Sequence, residues 1–296
     1  MRSRATTILL LVVILLAVLS VFNFWKLRKT TLETGKGTQS SPVLDRVLSS
    51  GELRVGYLIE PPYLYKDTAT GKLSGIYFDV VENMAARLNL KVRWVEEVGL
   101  ATLSEGLDSN RYDMIGFTLW RSAARSRNVA FSTPLFYSTL GIYVRADDNR
   151  FDGRIAALND QSVTIAAMDG ELAADIARTD FPKAKVSSLP QFSDYTQLLL
   201  ELTTKKADVT FFNKVVGARY MRQNPGKLKD ISGDSPIRVF AECFILPLRD
   251  SAFRSMIDSA LLEMIENGQV DRYFVANGED PNEYYRVARP FRPPAK

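Results

Sequence analysis

Three arginines, Arg121, Arg125 and Arg127, stand within seven residues of one another. A guanidinium presents two parallel N–H donors in a rigid fork and keeps its charge at every physiological pH, which suits it to a carboxylate. Spacing alone leaves two readings open, a ligand-holding group and a solvated surface charge. The chain of 296 residues has no histidine, which removes Ser-His-Asp and Cys-His nucleophilic catalysis, histidine metal sites and haem–histidine ligation together. Its one cysteine, Cys243, excludes an internal disulfide, a four-cysteine zinc site and an iron–sulfur cluster. No cysteine follows the apolar leader, where a bacterial lipoprotein anchor would need one. Carboxylate, lysine and tyrosine chemistry remain, or binding without reaction, and neither a cofactor nor a metal is expected.

The elements that must position such groups are read from periodicity. Residues 53–57 form a short strand, followed by the stiff turn-former Glu60-Pro61-Pro62-Tyr63. Tyr77, Val80, Val81, Met84, Ala85 and Leu88 recur at helical spacing. Residues 91–95 alternate as a strand, 100–107 read as a helix and 112–117 as the next strand. This β-α-β-α-β order predicts a mostly parallel sheet covered by helices. A second set follows: strand 163–166, helix 171–178, strand 184–188, helix 195–203 and strand 207–212. Ala252, Phe253, Met256, Ile257, Ala260, Leu261, Met264 and Ile265 make one apolar stripe, with Asp250 or Ser251 as its cap and Gly268 after its end. With 46% hydrophobic and 24% charged residues the composition is globular. Two α/β lobes with a ligand crevice between them are the simplest architecture.

The net charge of +4 does not mark a nucleic-acid face. Residues 1–29 hold five basic residues and no acidic one, so the remainder stands at 33 basic against 34 acidic. Those charges flank an apolar run of 18 residues, 8–25, broken only by Ser20 and Asn23. As a helix it would span roughly 27 Å, close to the hydrocarbon core of a bilayer. A cleaved signal peptide and a retained anchor compete; the run continues past the poor cleavage site at Val18-Leu19-Ser20, which favours the anchor. Residues 1–29 are therefore expected to be a signal anchor or signal peptide, and 30–43, rich in Gly, Ser and Thr, a flexible linker.

Several stretches resemble one family. Ser50-Gly51-Glu52-Leu53-Arg54-Val55-Gly56, Gly75-Ile76-Tyr77-Phe78-Asp79-Val80 and Arg125-Ser126-Arg127-Asn128-Val129-Ala130-Phe131-Ser132-Thr133-Pro134 occur in this order, followed by Ala207-Asp208-Val209 and a C-terminal helix ending at Asn267-Gly268. The series resembles the bacterial extracellular solute-binding proteins of family 3, the periplasmic amino-acid-binding components of ABC importers. The resemblance implies the two-lobed type II periplasmic binding protein-like fold, with residues 44–143 and 244–285 in lobe 1, 144–243 in lobe 2 and 286–296 as a tail. Crossing segments near 141–145 and 239–244 would be the hinge, and a ligand that touches both lobes would favour closure.

The resemblance also assigns roles. Arg125, six residues before Phe131, would fork onto the ligand's carboxylate. The positions that usually carry small hydroxyl residues read Trp120 and Ser122 here, and Thr118 could add a hydroxyl. In lobe 2 the nearest match to the family's Gly-Ser/Thr-Thr is Gly170-Glu171-Leu172, which loses a hydroxyl while Gly170 still admits close backbone approach. The acidic residue that holds an α-ammonium is replaced by Asn213, which could accept a hydrogen bond but brings no charge. Glu171 or Glu60 could replace that charge. Trp120, Tyr63 and Tyr57 would offer apolar faces. The expected function is capture of a small carboxylate-bearing ligand for a membrane partner such as an ABC permease, by a monomer, outside the cytoplasm. A membrane-anchored sensor without a transport role is the first alternative. A cyclohexadienyl dehydratase-like enzyme, with Glu171 or Glu242 as buried acid, is the second.

Overall fold

A computed structural model describes residues 42–190, 196–233, 236–280 and 283–286. The apolar run at 8–25, the linker up to residue 41 and the tail beyond 286 lie outside the described residues. Among the described residues no helix is long and apolar enough to cross a membrane.

Pro42 and Val43, expected in the linker, open the first helix of the described residues, α1 (Pro42–Ser50); proline is tolerated there because the first turn has no use for its missing N–H. The chain continues through β1 (Glu52–Tyr57), the small hairpin β2 (Tyr65–Lys66) and β3 (Leu73–Ser74), α2 (Ile76–Arg87), β4 (Lys91–Glu97), α3 (Leu103–Asp108), β5 (Met114–Trp120), β6 (Val129–Phe131) and β7 (Phe136–Arg145). Then come β8 (Thr164–Met168), α4 (Leu172–Asp180), β9 (Lys185–Leu189), α5 (Thr196–Thr203), β10 (Val209–Asn213), α6 (Lys214–Gln223) and β11 (Leu228–Asp230). Finally β12 (Arg238–Pro247) leads to α7 (Ser251–Glu266) and α8 (Gln269–Ala276).

One sheet runs in the order β4-β1-β5-β12-β7-β10-β8-β9. Its two ends are parallel: β1 pairs with β4 and β5, and β8 with β9 and β10. The middle is antiparallel, with β12 between β5 and β7 and β7 next to β10. The expectation of a mostly parallel sheet therefore holds within each set of elements, and antiparallel pairing joins the two sets. β7 carries the chain from the first set to the second and β12 carries it back, so two neighbouring crossing strands must run in opposite directions.

The apolar residues gather into separate clusters. The first takes α2 through Ile76, Tyr77, Val80, Val81, Met84 and Ala85, and α7 through Phe253, Ile257, Leu261 and Met264. Two further clusters take the strands and helices between β7 and β11, with Leu140, Ile142, Ile165 and Phe211 in one and Leu198, Leu199 and Phe212 in the other. Full burial of a Val, Leu, Ile, Phe or Met side chain among these stabilises by about 1.5–3 kcal/mol relative to leaving it in water. Gly75, at the start of α2, has φ +118°, and a Cβ on it would meet the Tyr63 carbonyl oxygen at 2.6 Å. Tyr77 N–H donates to that same oxygen at 3.0 Å. The glycine thus lets the turn that carries Tyr63 lie against the end of α2.

Candidate functional site

The end of β5 delivers Thr118 and Trp120 to one face, because side chains two apart on a strand point the same way. Trp120 lies directly opposite Glu242 of β12. The Glu242 carboxylate is buried and accepts from Trp120 Nε1 at 2.8 Å, Ser138 Oγ at 2.7 Å and Thr118 Oγ1 at 2.8 Å. Thr118 in turn accepts from the Tyr77 hydroxyl, 2.6 Å away. Burial pushes the Glu242 carboxyl above its ordinary value, against the pull of the Ser138, Thr118 and Trp120 hydrogen bonds and of the Arg125 charge. One carboxylate thus ties β5, β7 and β12 together. The neighbouring Cys243 thiol is pushed up to about 12 by burial and is no nucleophile at neutral pH.

Beyond β5 the chain turns. Arg121 N–H donates to the Ala241 carbonyl at 3.3 Å, and Ser122 Oγ accepts from Arg125 N–H at 3.3 Å. The Arg125 guanidinium donates through Nη1 to the Trp120 carbonyl at 3.2 Å and forms an ion pair through Nη2 with Glu171. These side chains are only 16% and 6% exposed. Glu171 comes from the other set of elements: β8 ends at Met168, Gly170 takes φ +76°, and Glu171 stands as the N-cap residue of α4 without using its side chain on the cap.

Around this pair lies a cleft. Glu60, Tyr63, Trp120 and Arg125 of the first set of elements line it, with Glu171, Phe211, Phe212 and Asn213 of the second and Glu242 of the crossing strand β12. The Arg125–Glu171 pair also borders a second space, beside Leu103, Asn128 and Ile245. Such a site, apolar-walled with a few convergent charged groups, suits a small polar ligand with an apolar body.

Residues 53–275 match the model of the bacterial extracellular solute-binding proteins, family 3. The chain belongs to this family. Among its relatives, the family 3 chain is 26% identical over 211 residues to a "Probable amino-acid ABC transporter-binding protein" of Haemophilus influenzae, covering 69% of this chain and 77% of that one. It is 25% identical over 220 residues to a cyclohexadienyl dehydratase of Pseudomonas aeruginosa, covering 74% and 79%. A membrane-bound lytic murein transglycosylase F of an Enterobacter species is 26% identical over 204 residues; the match takes in 66% of this chain and spans only 38% of that enzyme's length. The crystal structure of the ancestral amino acid-binding protein AncCDT-1, a precursor of cyclohexadienyl dehydratase, superposes with TM-score 0.66 over 80% of this chain and 99% of that one at 21% identity. The fold is the two-lobed, type II periplasmic binding protein fold. The family consists mainly of binding proteins and includes enzymes among its relatives.

Of the residues singled out in the sequence, Arg125, Trp120, Thr118, Glu171, Asn213 and Tyr63 line the cleft, as does Glu60. Ser122 and Gly170 are not among its lining residues; Ser122 supports the Arg125 turn, and Gly170 makes the exposed turn before Glu171. Trp120 does not stand free to stack: Phe240 covers it with ring centroids 4.7 Å apart, and its N–H is held by Glu242 and Ser138. Tyr63 packs on Tyr77 at 5.1 Å, and Tyr57 meets Trp94 edge-on instead of lining the cleft. Asn213 was expected to accept a hydrogen bond from the ligand. Its Oδ1 instead accepts from Val215 N–H at 2.9 Å and Val216 N–H at 3.3 Å, because position 213 is the N-cap of α6. Sequence reasoning placed Glu242 only as the acid of an enzyme and missed its ties to Ser138 and Trp120. A single acidic residue inside the apolar run 239–246 is the signal that points to it.

Proposed function

We propose that this family 3 protein is an extracytoplasmic receptor that captures a small carboxylate-bearing ligand, an amino acid or a related organic acid, and presents it to a membrane partner. The observation that carries this reading is Arg125, a half-buried guanidinium in a cleft lined from two sets of elements. A fork of this kind holds a carboxylate by two charge-assisted hydrogen bonds. Residues 44–143 with 244–285 act as one lobe and 144–243 as the other; the ligand favours closure because it touches both only when they are shut. The receptor works as a monomer in the periplasm, tethered to the cytoplasmic membrane by residues 8–25, with an ABC permease or another inner-membrane protein as its partner. The name of the Haemophilus relative agrees with this partner class.

A thermal-shift screen of amino acids and organic acids tests the reading. A ligand at about 1,000-fold excess over its Kd stabilises by about 4 kcal/mol, and Arg125→Ala must abolish the shift of any carboxylate ligand. An unchanged affinity in that variant removes Arg125 from the site.

A second reading, a dehydratase on the same scaffold, is favoured by Glu242, a buried carboxyl lining the cleft whose affinity for its proton is raised by burial. Incubation with prephenate, followed by absorbance, decides it. Turnover lost in Glu242→Gln would establish the enzyme, and the absence of turnover leaves the receptor.

A further inference from the structure

We propose that Glu279, Tyr284 and Tyr285, which follow α8, form a strap that latches the two sets of elements together through Arg219, outside the ligand cleft. Closure then draws on a contact of the protein's own as well as on a ligand. The proposal rests on the reading of a receptor whose lobes close, and on no ligand class. Arg219 stands on α6, which packs on β7 and β10. Its Nη1 donates to the Tyr65 hydroxyl at 2.6 Å and its Nη2 to Glu279 Oε1 at 2.7 Å. Tyr65, Arg219 and Glu279 are all absent from the lining of the cleft. The Glu279 side chain is only 9% exposed. Parting the pair leaves a shielded charge without its partner, which costs more than breaking a solvated surface pair.

The strap itself fixes the acceptor. Gly278, at φ +77°, turns the chain off α8, and Glu279 N–H donates back to the Phe274 carbonyl at 2.9 Å. The Tyr284 hydroxyl donates to Glu279 Oε2 at 3.4 Å, so each carboxylate oxygen has a donor of its own. Tyr284 is buried, its ring centroid 4.5 Å from that of Phe274 and 5.2 Å from that of Phe136. Tyr285 exchanges both backbone hydrogen bonds with Tyr137, at 2.8 and 3.0 Å. Ala241 of β12 already lies against Tyr137, so Tyr285 takes the opposite edge of β7, which β10 occupies from Leu140 onward. The strap thus grips the crossing strand just before the second set of elements begins on it, and offers its carboxylate to a helix of that set. With the acceptor held in advance, little freedom is lost when Arg219 pairs with it. Tyr284 also meets Tyr63, ring centroids 6.1 Å apart, and Tyr63 lines the cleft.

Pulsed electron paramagnetic resonance on the full chain decides the matter, with nitroxide labels on Ser259→Cys of α7 and Thr179→Cys of α4. Both positions are exposed, and the buried Cys243 takes no label. With no ligand added, the otherwise wild-type chain is expected to show the shut distance as its main population. Arg219→Glu sets two carboxylates together, and the ratio of the shut distance to any other should fall by about 10-fold or more. Adding Glu279→Arg reverses the pair and should bring the ratio back to within about 3-fold of its starting value. Tyr284→Phe keeps the ring and loses only the hydroxyl on Oε2; it should lower the ratio by about 2- to 5-fold, and it carries the test if charge reversal prevents folding. Circular dichroism melts show which variants fold. A wild type found mainly away from the shut distance overturns the latch. So does a ratio that Arg219→Glu and Tyr284→Phe leave unchanged, or one that the reversed pair fails to restore. A latch that responds as expected in a chain that binds no carboxylate stands while the receptor reading falls. A carboxylate receptor whose distances ignore these variants loses only the latch.

Discussion

The guanidinium of Arg219, on α6, donates to the carboxylate of Glu279 at 2.7 Å. Arg219 also donates to the Tyr65 hydroxyl at 2.6 Å. α6 packs on β7 and β10, whereas Tyr65 and Glu279 belong to the hairpin strand β2 and the segment after α8. The contact is therefore a second clasp between the two sets of elements, alongside Arg125–Glu171. If the proposed closure uses this half-buried pair, Arg219→Gln is expected to weaken binding of any amino acid that stabilises the wild type, by about 3- to 30-fold. Titration calorimetry measures it, and an unaltered Kd means that closure does not use this pair.

Glu242 gives the fold a pH dependence of definite sign. Its carboxyl is raised by burial in the folded protein, so above the ordinary carboxyl value the unfolded chain has lost a proton that the folded chain still holds. Stability contributed by this group accordingly falls as pH rises from about 4.5 toward neutrality. In Glu242→Gln that slope should flatten, with Trp120 and Ser138 still able to donate to the amide oxygen. Melting temperatures of wild type and variant across pH 4–8 provide the comparison; parallel curves would exclude Glu242 as the source.

Asp250 serves two helices at once. One of its oxygens accepts from Phe253 N–H at the start of α7, and the other accepts from Val43 and Leu44 N–H at the start of α1. Asp250→Ala leaves three N–H groups without this acceptor and should cost about 2–4 kcal/mol. Urea denaturation reads the loss, and a cost below about 0.5 kcal/mol would mean that water replaces the carboxylate freely.

Gly75→Ala should destabilise by about 2 kcal/mol or more, because a Cβ at φ +118° would strike the Tyr63 carbonyl oxygen. Since the same turn places Tyr63 in the cleft, ligand affinity should fall with stability. Thermal melts and ligand titrations of this variant test both halves; full stability would show that the turn moves aside without cost.

The amino-acid sequence by itself marked the strands and helices with a clear period, but not α6 or the crossing strands β7 and β12. The alternation of residues 91–95 and the apolar stripe from Ala252 to Ile265 each follow one chain face, and β4 and α7 formed there. It also marked Arg125, through its place before Val129-Ala130-Phe131, and that residue lines the cleft. What it did not carry was pairing between distant side chains. Arg125 meets Glu171 46 residues away, and Trp120 meets Glu242 122 residues away. The oxygen of Asn213 went to a helix end that its own spacing does not announce. Periodicity reports which face of an element turns inward, a local property of the chain. Which partner waits on that face depends on strand order, and here two crossing strands in opposite directions bring β5, β7 and β12 side by side. Only that arrangement decided that the Arg125 guanidinium would face a carboxylate of the protein's own.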